Sequence, residues 1–207
     1  MMYTHVSVTE AAPTRAMTLG WLGLSVALVF GAGCASSHDA IRASAQYPEQ
    51  IRWPEAYTPE EASFFVHNAI TIEAPPEVVW NILIEAETWP EWYEGAANVD
   101  VQGDSPRLHP GAVFTWRTMG LDFTSTITEF EPYTRLSWES VKTVITGYHG
   151  WLIIPTDTGC TLITDESQNG FLTFLERIFQ PTKLHGLHDI WLAEIKSKAE
   201  AIHRAQT

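Results

Sequence analysis

The sequence is short of basic residues and lacks the motifs of several common enzyme classes. It has 12 Lys and Arg residues against 25 Asp and Glu residues, which gives a formal net charge of -13. Binding to a nucleic-acid backbone, or to anionic lipid through charge, requires clustered Lys and Arg. The sequence contains no Gly-x-Ser-x-Gly elbow of a hydrolase and no Gly-rich phosphate loop. We therefore expect no nucleic-acid partner, and we interpret the acidity as a contribution to solubility.

Cysteine is also scarce, since the chain has only Cys34 and Cys160. Cys34 follows an almost uncharged run at residues 17–33, which is 17 residues long and at the lower limit for crossing a bilayer. Arg15 is the only basic residue before this run. Small residues followed by a cysteine resemble the bacterial lipoprotein signal, although Gly31 stands where that signal usually has an aliphatic residue.

This resemblance implies a signal peptide at residues 1–33 and a lipidated Cys34. The protein would then lie in the bacterial cell envelope, anchored by lipid to the periplasmic or extracytoplasmic face of a membrane. Residues 34–63, which contain three prolines and no apolar period, would form a tether. An ordinary cleaved signal, an uncleaved anchor and an apolar run without function are the alternatives. Cys160 would be a lone buried thiol, and a Cys34–Cys160 disulfide is the alternative to that.

Residues 64–207 carry the pattern of a folded domain. Phe64–Ala74 alternates and predicts a first strand, and Pro76 with Glu77 opens a helix. After Gly95 the pattern has period two, and short turn-like connectors predict antiparallel neighbours. The predicted strands are Asn98–Gln102, Ala112–Thr118, Asp122–Glu131, Arg135–Lys142, Thr146–Ile154 and Cys160–Ser167.

The last predicted element is a long amphipathic helix from about Thr182 to Arg204. Its apolar stripe includes Leu184, Leu187 and Trp191, at spacings of three and four residues. A helix of this length needs a broad apolar surface, and the strands provide one. One strand, short helices, about six strands and a long helix together predict an α+β fold.

The order of these elements resembles a known superfamily. The runs ITIEAPPEVVWNILIEAETWPEW and GAVFTWRTMGLDFTSTITEFEPYTRLSWES are similar to the START-like superfamily, also written SRPBCC, and within it to the polyketide cyclase/dehydrase-type branch. The resemblance covers about Phe65 to Ala205. It implies a helix-grip fold, in which a curved antiparallel sheet of about seven strands wraps a long C-terminal helix and leaves an apolar cavity.

Strand alternation and the helix stripe select the residues that would line such a cavity. Large aromatic side chains with a few polar groups are typical of an apolar ligand pocket, although the same side chains could simply fill the core. The predicted cavity residues are Phe114, Trp116, Phe123, Ser125, Ile127, Trp138, His149, Trp151, Phe171, Phe174, Leu187, His188 and Trp191.

Few residues are candidates for chemistry, and the catalytic residues stay unknown at this stage. His149 and Glu166 are candidate general bases because they lie on neighbouring strands, where cross-strand proximity is possible. Asp122 and Glu129 are further acid/base candidates, and an ordinary solvated group is the alternative for each. We expect no cofactor.

A metal site is not expected either. His185 and His188 are three residues apart on the final helix and His149 could face them, but no Glu or Cys stands at a spacing that completes a set.

The segment 170–179 is rich in apolar residues and is separated from the final helix by Pro181. It is a candidate lid over the cavity, with Phe171 and Phe174 turned inwards. One more packed helical turn is the alternative.

The sequence thus favours the binding of a hydrophobic small molecule or lipid in an internal cavity of a membrane-tethered domain. A cyclase- or dehydratase-like enzyme that uses a cavity His or Glu as general base is the alternative, and a scaffold role is a third. We expect a monomer.

Overall fold

One curved antiparallel sheet forms the body of the protein. The computed structural model describes residues 51–173 and 180–207. The strands run in the order β1-β7-β6-β5-β4-β3-β2, and each pair of neighbours is antiparallel. Their bounds are β1 (Phe64–Ile72), β2 (Ala97–Val101), β3 (Val113–Thr118), β4 (Leu121–Glu131), β5 (Arg135–Lys142), β6 (Ile145–Thr156) and β7 (Gly159–Asn169). The predicted α+β fold with seven strands is confirmed.

Alternation of side chains gives the sheet two distinct faces. In β4, Phe123, Ser125 and Ile127 are buried on the concave face, while the intervening residues are exposed. The register shifts between Ile127 and Glu129, which marks a β-bulge of the kind that bends a strand. The bend helps the sheet to curve around the helix that it holds.

Two α-helices lie on the concave side, α1 (Pro76–Ile84) and α2 (Lys183–Gln206). Short 3-10 helices cover Glu55–Tyr57 and Ala86–Glu91. Helix α1 starts at a proline, as predicted, because proline is tolerated in the first turn.

Helix α2 packs on β1 and α1 through most of the predicted stripe, although Leu187 is only half-buried and Leu192, which was not predicted, is buried. Trp191, Ile195 and Ala199 of this stripe are fully buried, and a hydrogen bond of 2.6 Å from the amide of Asn68 to Asp189 fastens the helix to β1. The long final helix therefore lies on the sheet, as predicted.

The convex face of the sheet is covered by residues that the sequence analysis placed in the tether. Ile51 is buried and packs with Leu152 and Ile163. Tyr57 stacks on Tyr148 with ring centroids 5.7 Å apart. The folded unit therefore extends at least to Ile51. The segment is irregular in sequence because it crosses the sheet instead of joining it, so its apolar residues follow no period.

The predicted anchor at residues 17–33 and Cys34 lies outside the described residues. In the described part of the chain, no helix is both long and apolar enough to cross a membrane. Cys160 is a free, fully buried thiol, so the structure does not contain the alternative Cys34–Cys160 disulfide.

Candidate functional site

A cavity of about 40 Å³ lies between the concave face of the sheet and α2. Each strand from β3 to β7 contributes side chains to it, because every second residue of these strands points to the same side. Six predicted cavity residues line it, namely Trp116, Phe123, Trp138, His149, His188 and Trp191. The structure thus brings together residues from four strands and one helix at the predicted place.

Four other predicted cavity residues belong to the core and not to the cavity lining. Phe114, Ser125, Ile127 and Trp151 are buried on the concave face but do not line the cavity, so they contribute to the core behind it.

Leu187 and Phe171 do not line the cavity. Leu187 lines a separate open recess with Lys183, because it lies at the edge of the α2 stripe and not at its centre. Phe171 is 66% exposed and does not turn inwards. Phe174 and most of the predicted lid at 170–179 lie outside the described residues.

Nine further cavity residues were not selected from the sequence, among them the following four. Tyr93 comes from the connection before β2, Met119 from the β3–β4 turn, Gln168 from β7 and Leu184 from the first turn of α2. The alternation of β7 could have identified Gln168, which is two residues beyond Glu166. Tyr93 had no such signal, because a residue in an irregular segment has no periodicity from which to assign a face.

Aromatic rings fill most of the space around the cavity. Trp191 stacks on Tyr93 with ring centroids 4.3 Å apart and planes 11° apart. Its ring also meets the edges of Trp89 and Trp151, each at 5.0 Å. Aromatic pairs of this kind contribute about 0.5–1.5 kcal/mol each beyond their buried area. This packing explains why the enclosed volume is small in so aromatic a site.

Several indole N–H groups in this cluster have no hydrogen-bond partner. The Nε1 atoms of Trp138, Trp151 and Trp191 are buried and unpaired, whereas the Nε1–H of Trp116 donates to Ser125 at 3.0 Å. A buried donor without a partner is uncommon and costs about 1–3 kcal/mol. The aromatic wall therefore includes donors that an acceptor atom could satisfy.

His149, Glu166 and His188, which all line the cavity, form a largely buried cluster. The β6–β7 register places His149 directly opposite Glu166, and α2 brings His188 to the same carboxylate. The Oε2 atom of Glu166 lies 3.0 Å from Nδ1 of His149 and 3.2 Å from Nε2 of His188. The two catalytic candidates predicted from the sequence are thus in direct contact.

Neighbouring side chains hold the other atoms of this cluster. Nε2 of His149 lies 2.6 Å from the hydroxyl of Thr164, and the side-chain amide of Gln168 donates to Oε1 of Glu166 at 2.6 Å. His149 also stacks on Trp151, with ring planes 12° apart. The positions of His149 and Glu166 are therefore fixed on more than one side.

The environment sets the protonation of the cluster. Burial lowers the pKa of His149 to about 4, although the nearby Glu166 carboxylate opposes this shift. Burial alone would raise the pKa of Glu166, but hydrogen bonds from His149 and His188 outweigh it and hold the pKa well below its usual range. Burial raises the pKa of Tyr93, and the negative charge of Glu166 raises it further by a smaller amount. At neutral pH the site holds a carboxylate, a neutral His149 and a protonated phenol.

The cluster also has the donor atoms of a metal site. The three ligand atoms of His149, Glu166 and His188 lie within 4.8 Å of one another. Sequence spacing does not reveal this set, because Glu166 is 22 residues away from His188 and belongs to a different element.

The remaining acid/base candidates lie away from the cavity. Asp122 forms an exposed pair with Arg117, with both N···O distances 2.8 Å. Glu129 forms an ion pair of 2.8 Å with Arg52. Both have the surface pairing that is ordinary for such residues.

Residues 64–200 match a family model described as polyketide cyclase / dehydrase and lipid transport. The chain belongs to this family. The resemblance noted in the sequence is thereby confirmed, together with the helix-grip fold. Among curated proteins, no match was found.

Solved structures support the same fold. A hypothetical protein from Helicobacter pylori is 26% identical with a TM-score of 0.67, and the match covers 72% of this chain and 95% of that chain. The ZhuI aromatase/cyclase from Streptomyces sp. R1128 is 15% identical with a TM-score of 0.56, with 66% of this chain and 93% of that chain covered.

A third similar structure is norcoclaurine synthase from Thalictrum flavum in complex with dopamine and hydroxybenzaldehyde. It is 13% identical with a TM-score of 0.51, and the match covers 64% of this chain and 84% of that chain. At such identities the aromatase/cyclase and the synthase establish likeness of fold only.

Proposed function

We propose that this family member binds a small, flat, largely apolar molecule that carries a hydrogen-bond acceptor such as a carbonyl oxygen. The observation that carries the proposal is the cavity between the sheet and α2, which is lined by aromatic side chains and by one polar cluster. Ligand pockets are typically apolar with a few convergent polar groups that fix orientation.

The chemistry of the wall favours an acceptor-bearing ring. Trp138 and Trp191 line the cavity, and each has a buried indole N–H without a partner. A ligand oxygen could accept from one of these donors, while its ring stacks on the neighbouring aromatic side chains. Neutral aromatic ketones and similar compounds have both an acceptor oxygen and a ring.

The size of the site bears on the class of ligand. A volume of about 40 Å³ is far below the roughly 300–1,000 Å³ of typical ligand pockets. A ligand must therefore displace side chains as it enters. Thr118, Met119 and Leu121, at and beside the β3–β4 turn, are neighbouring lining residues that are only half-buried, so we place the entrance there. A compact ring fits this site better than a long acyl chain does.

A cyclase- or dehydratase-like enzyme is the second candidate function. It is favoured by the contact of His149 with Glu166 inside the cavity, and one structure of similar fold is an aromatase/cyclase. A general base works best when its pKa is near the operating pH. The pKa of His149 is about 4 and that of Glu166 lies below its usual range, so both groups are weak bases. This electrostatic arrangement favours binding over proton transfer.

Binding of 1-indanone tests the proposal, with indane as the matched compound that lacks the carbonyl. We expect one saturable site in calorimetric titrations of the full chain. Because one hydrogen bond contributes about 0.5–1.5 kcal/mol net, indane should bind about 2- to 12-fold more weakly. Absence of saturable 1-indanone binding would refute the proposal.

Two cavity variants and one control variant locate the binding site of 1-indanone. Leu184→Trp fills the cavity side of α2 and should weaken 1-indanone at least about 10-fold, whereas Ile202→Trp on the same helix, at a position 39% exposed, should not. Gly147→Ala adds a methyl group on the cavity side, at an ordinary contact distance of 3.6 Å from Gln168 and Glu166. It should also weaken 1-indanone binding, and it replaces Leu184→Trp as the test if that variant fails to fold. Unchanged binding in folded Leu184→Trp and in Gly147→Ala would place the ligand elsewhere.

We also propose that the domain is held at the membrane of a bacterial envelope through a lipidated Cys34. The sequence resemblance to a lipoprotein signal supports this, and Cys160 is buried and free, which leaves Cys34 available. Intact-mass spectrometry of membrane-extracted protein should show a chain that begins at Cys34 and carries added lipid mass. A full-length, unmodified N-terminus would rule the anchor out.

A further inference from the structure

We propose that His149, Glu166 and His188 form a binding site for one divalent transition-metal ion, with Zn²⁺ as the most suitable occupant. The inference does not depend on the ligand proposed above. It rests on the positions of three side chains that come from β6, β7 and α2.

The distances match those between neighbouring metal ligands. With metal–ligand bonds of about 2.0–2.2 Å, neighbouring ligand atoms are separated by roughly 2.8–3.6 Å in octahedral or tetrahedral sites. Oε2 of Glu166 lies 3.0 Å from Nδ1 of His149 and 3.2 Å from Nε2 of His188. All three atoms lie within 4.8 Å of one another, so closing the set requires a movement of His188 of only about 1 Å.

The surrounding contacts are those of a metal site. A ligating imidazole usually donates its second N–H to an oxygen, and Nε2 of His149 lies 2.6 Å from the hydroxyl of Thr164. The second oxygen of Glu166 accepts a hydrogen bond of 2.6 Å from Gln168. In His149 and Glu166, the atom that faces the proposed ion is thus oriented by a hydrogen bond to the other polar atom of the side chain, whereas Nδ1 of His188 is buried without a partner.

Charge supplies an independent argument. The side chain of Glu166 is only 15% exposed, and no Lys or Arg lines the cavity in the described part of the chain. A buried carboxylate is costly without a cation or several donors. A divalent cation would compensate this charge more fully than two imidazole N–H groups do.

The donor set indicates the chemical class of the ion. Two imidazole nitrogens and one carboxylate favour Zn²⁺ and its neighbours in the transition series over Mg²⁺ or Ca²⁺, which prefer oxygen ligands. All three ligands line the cavity. A coordination position would therefore stay open towards the cavity, as in metal sites that bind an exogenous molecule.

Titration of the full chain with Co²⁺, after treatment with EDTA, tests the site. We expect one equivalent of Co²⁺ with the visible absorption of a four- or five-coordinate ion, and displacement by Zn²⁺. Glu166→Gln and His188→Ala should each weaken binding at least about 100-fold, because each removes one of three ligands. Thr164→Val, which is close in shape, should weaken it about 10- to 100-fold through loss of the bond to His149.

His185→Ala is the matched control. His185 lies on the same helix, one turn before His188, and pairs with Asp189 at 3.1 Å outside the cluster. This variant should keep the Co²⁺ signal, with folding of every variant checked by circular dichroism. The proposal is overturned if the wild-type chain takes up no Co²⁺, or if Glu166→Gln and His188→Ala bind as the wild type does. Binding of 1-indanone is measured separately, so either proposal can fail without the other.

Discussion

At the scale of single residues, neighbouring groups decide whether an ionisable side chain on β7 is charged. Glu166 and Cys160 both lie on β7. Burial favours the neutral form of each, but Glu166 receives hydrogen bonds from two imidazoles and Cys160 has no comparable partner. The carboxylate therefore stays charged, whereas burial raises the pKa of the Cys160 thiol to about 11.

Cys160 should accordingly be unreactive in the folded protein. The thiolate is the nucleophile, and little of it forms at about pH 8 when the pKa is raised and the sulfur is buried. In the Cys34→Ser variant, iodoacetamide should leave the native chain unmodified by intact-mass spectrometry and should add one group after urea unfolding. Stoichiometric labelling of the native chain would contradict the account.

The raised pKa of Cys160 also has a consequence for stability. The folded-state pKa, about 11, lies above the ordinary value of 9.0. The stability that this thiol contributes is therefore present below pH 9 and is lost as the pH rises towards 11, because the unfolded state ionises first.

At the scale of elements, the strands and the final helix could be predicted because period two and period 3.6 are visible in their side chains. The tight β6–β7 connection also fixes a register. Since Thr156 pairs with Gly159, counting back along the hairpin places His149 opposite Glu166. The contact between the two catalytic candidates could therefore be predicted from the sequence.

The position of His188, the third member of the cluster, could not be predicted from the sequence in the same way. The contact of His188 with Glu166 depends on where α2 crosses the sheet, and that position is set by packing over the whole concave face and not by local pattern. The same holds for Tyr93, whose stacking on Trp191 joins an irregular segment to a helix. Residues 51–57 were missed for a related reason, because a segment that lies across strands shows no alternation.

At the scale of the whole molecule, the two faces of the sheet have different roles. The convex face is closed by residues 51–57, and its apolar contacts serve stability. The concave face holds α2 and the cavity, which Glu166 lines. With a net charge of -13 and a carboxylate in the site, the protein should repel anionic ligands such as fatty acids. Charge and cavity size together favour a neutral, compact ring compound.

The indole N–H signals of a ¹⁵N-tryptophan-labelled full chain, titrated with 1-indanone, test this account most directly. The signals of Trp138 and Trp191 should shift to saturation, because both residues line the cavity and have unpaired donors. Trp53 has an unpaired donor on the opposite face, and Trp92 already donates to Thr88 at 3.2 Å, so their signals should stay in place. Unchanged signals of Trp138 and Trp191 at high 1-indanone, or a shift of Trp53 in their stead, would contradict the proposed binding site.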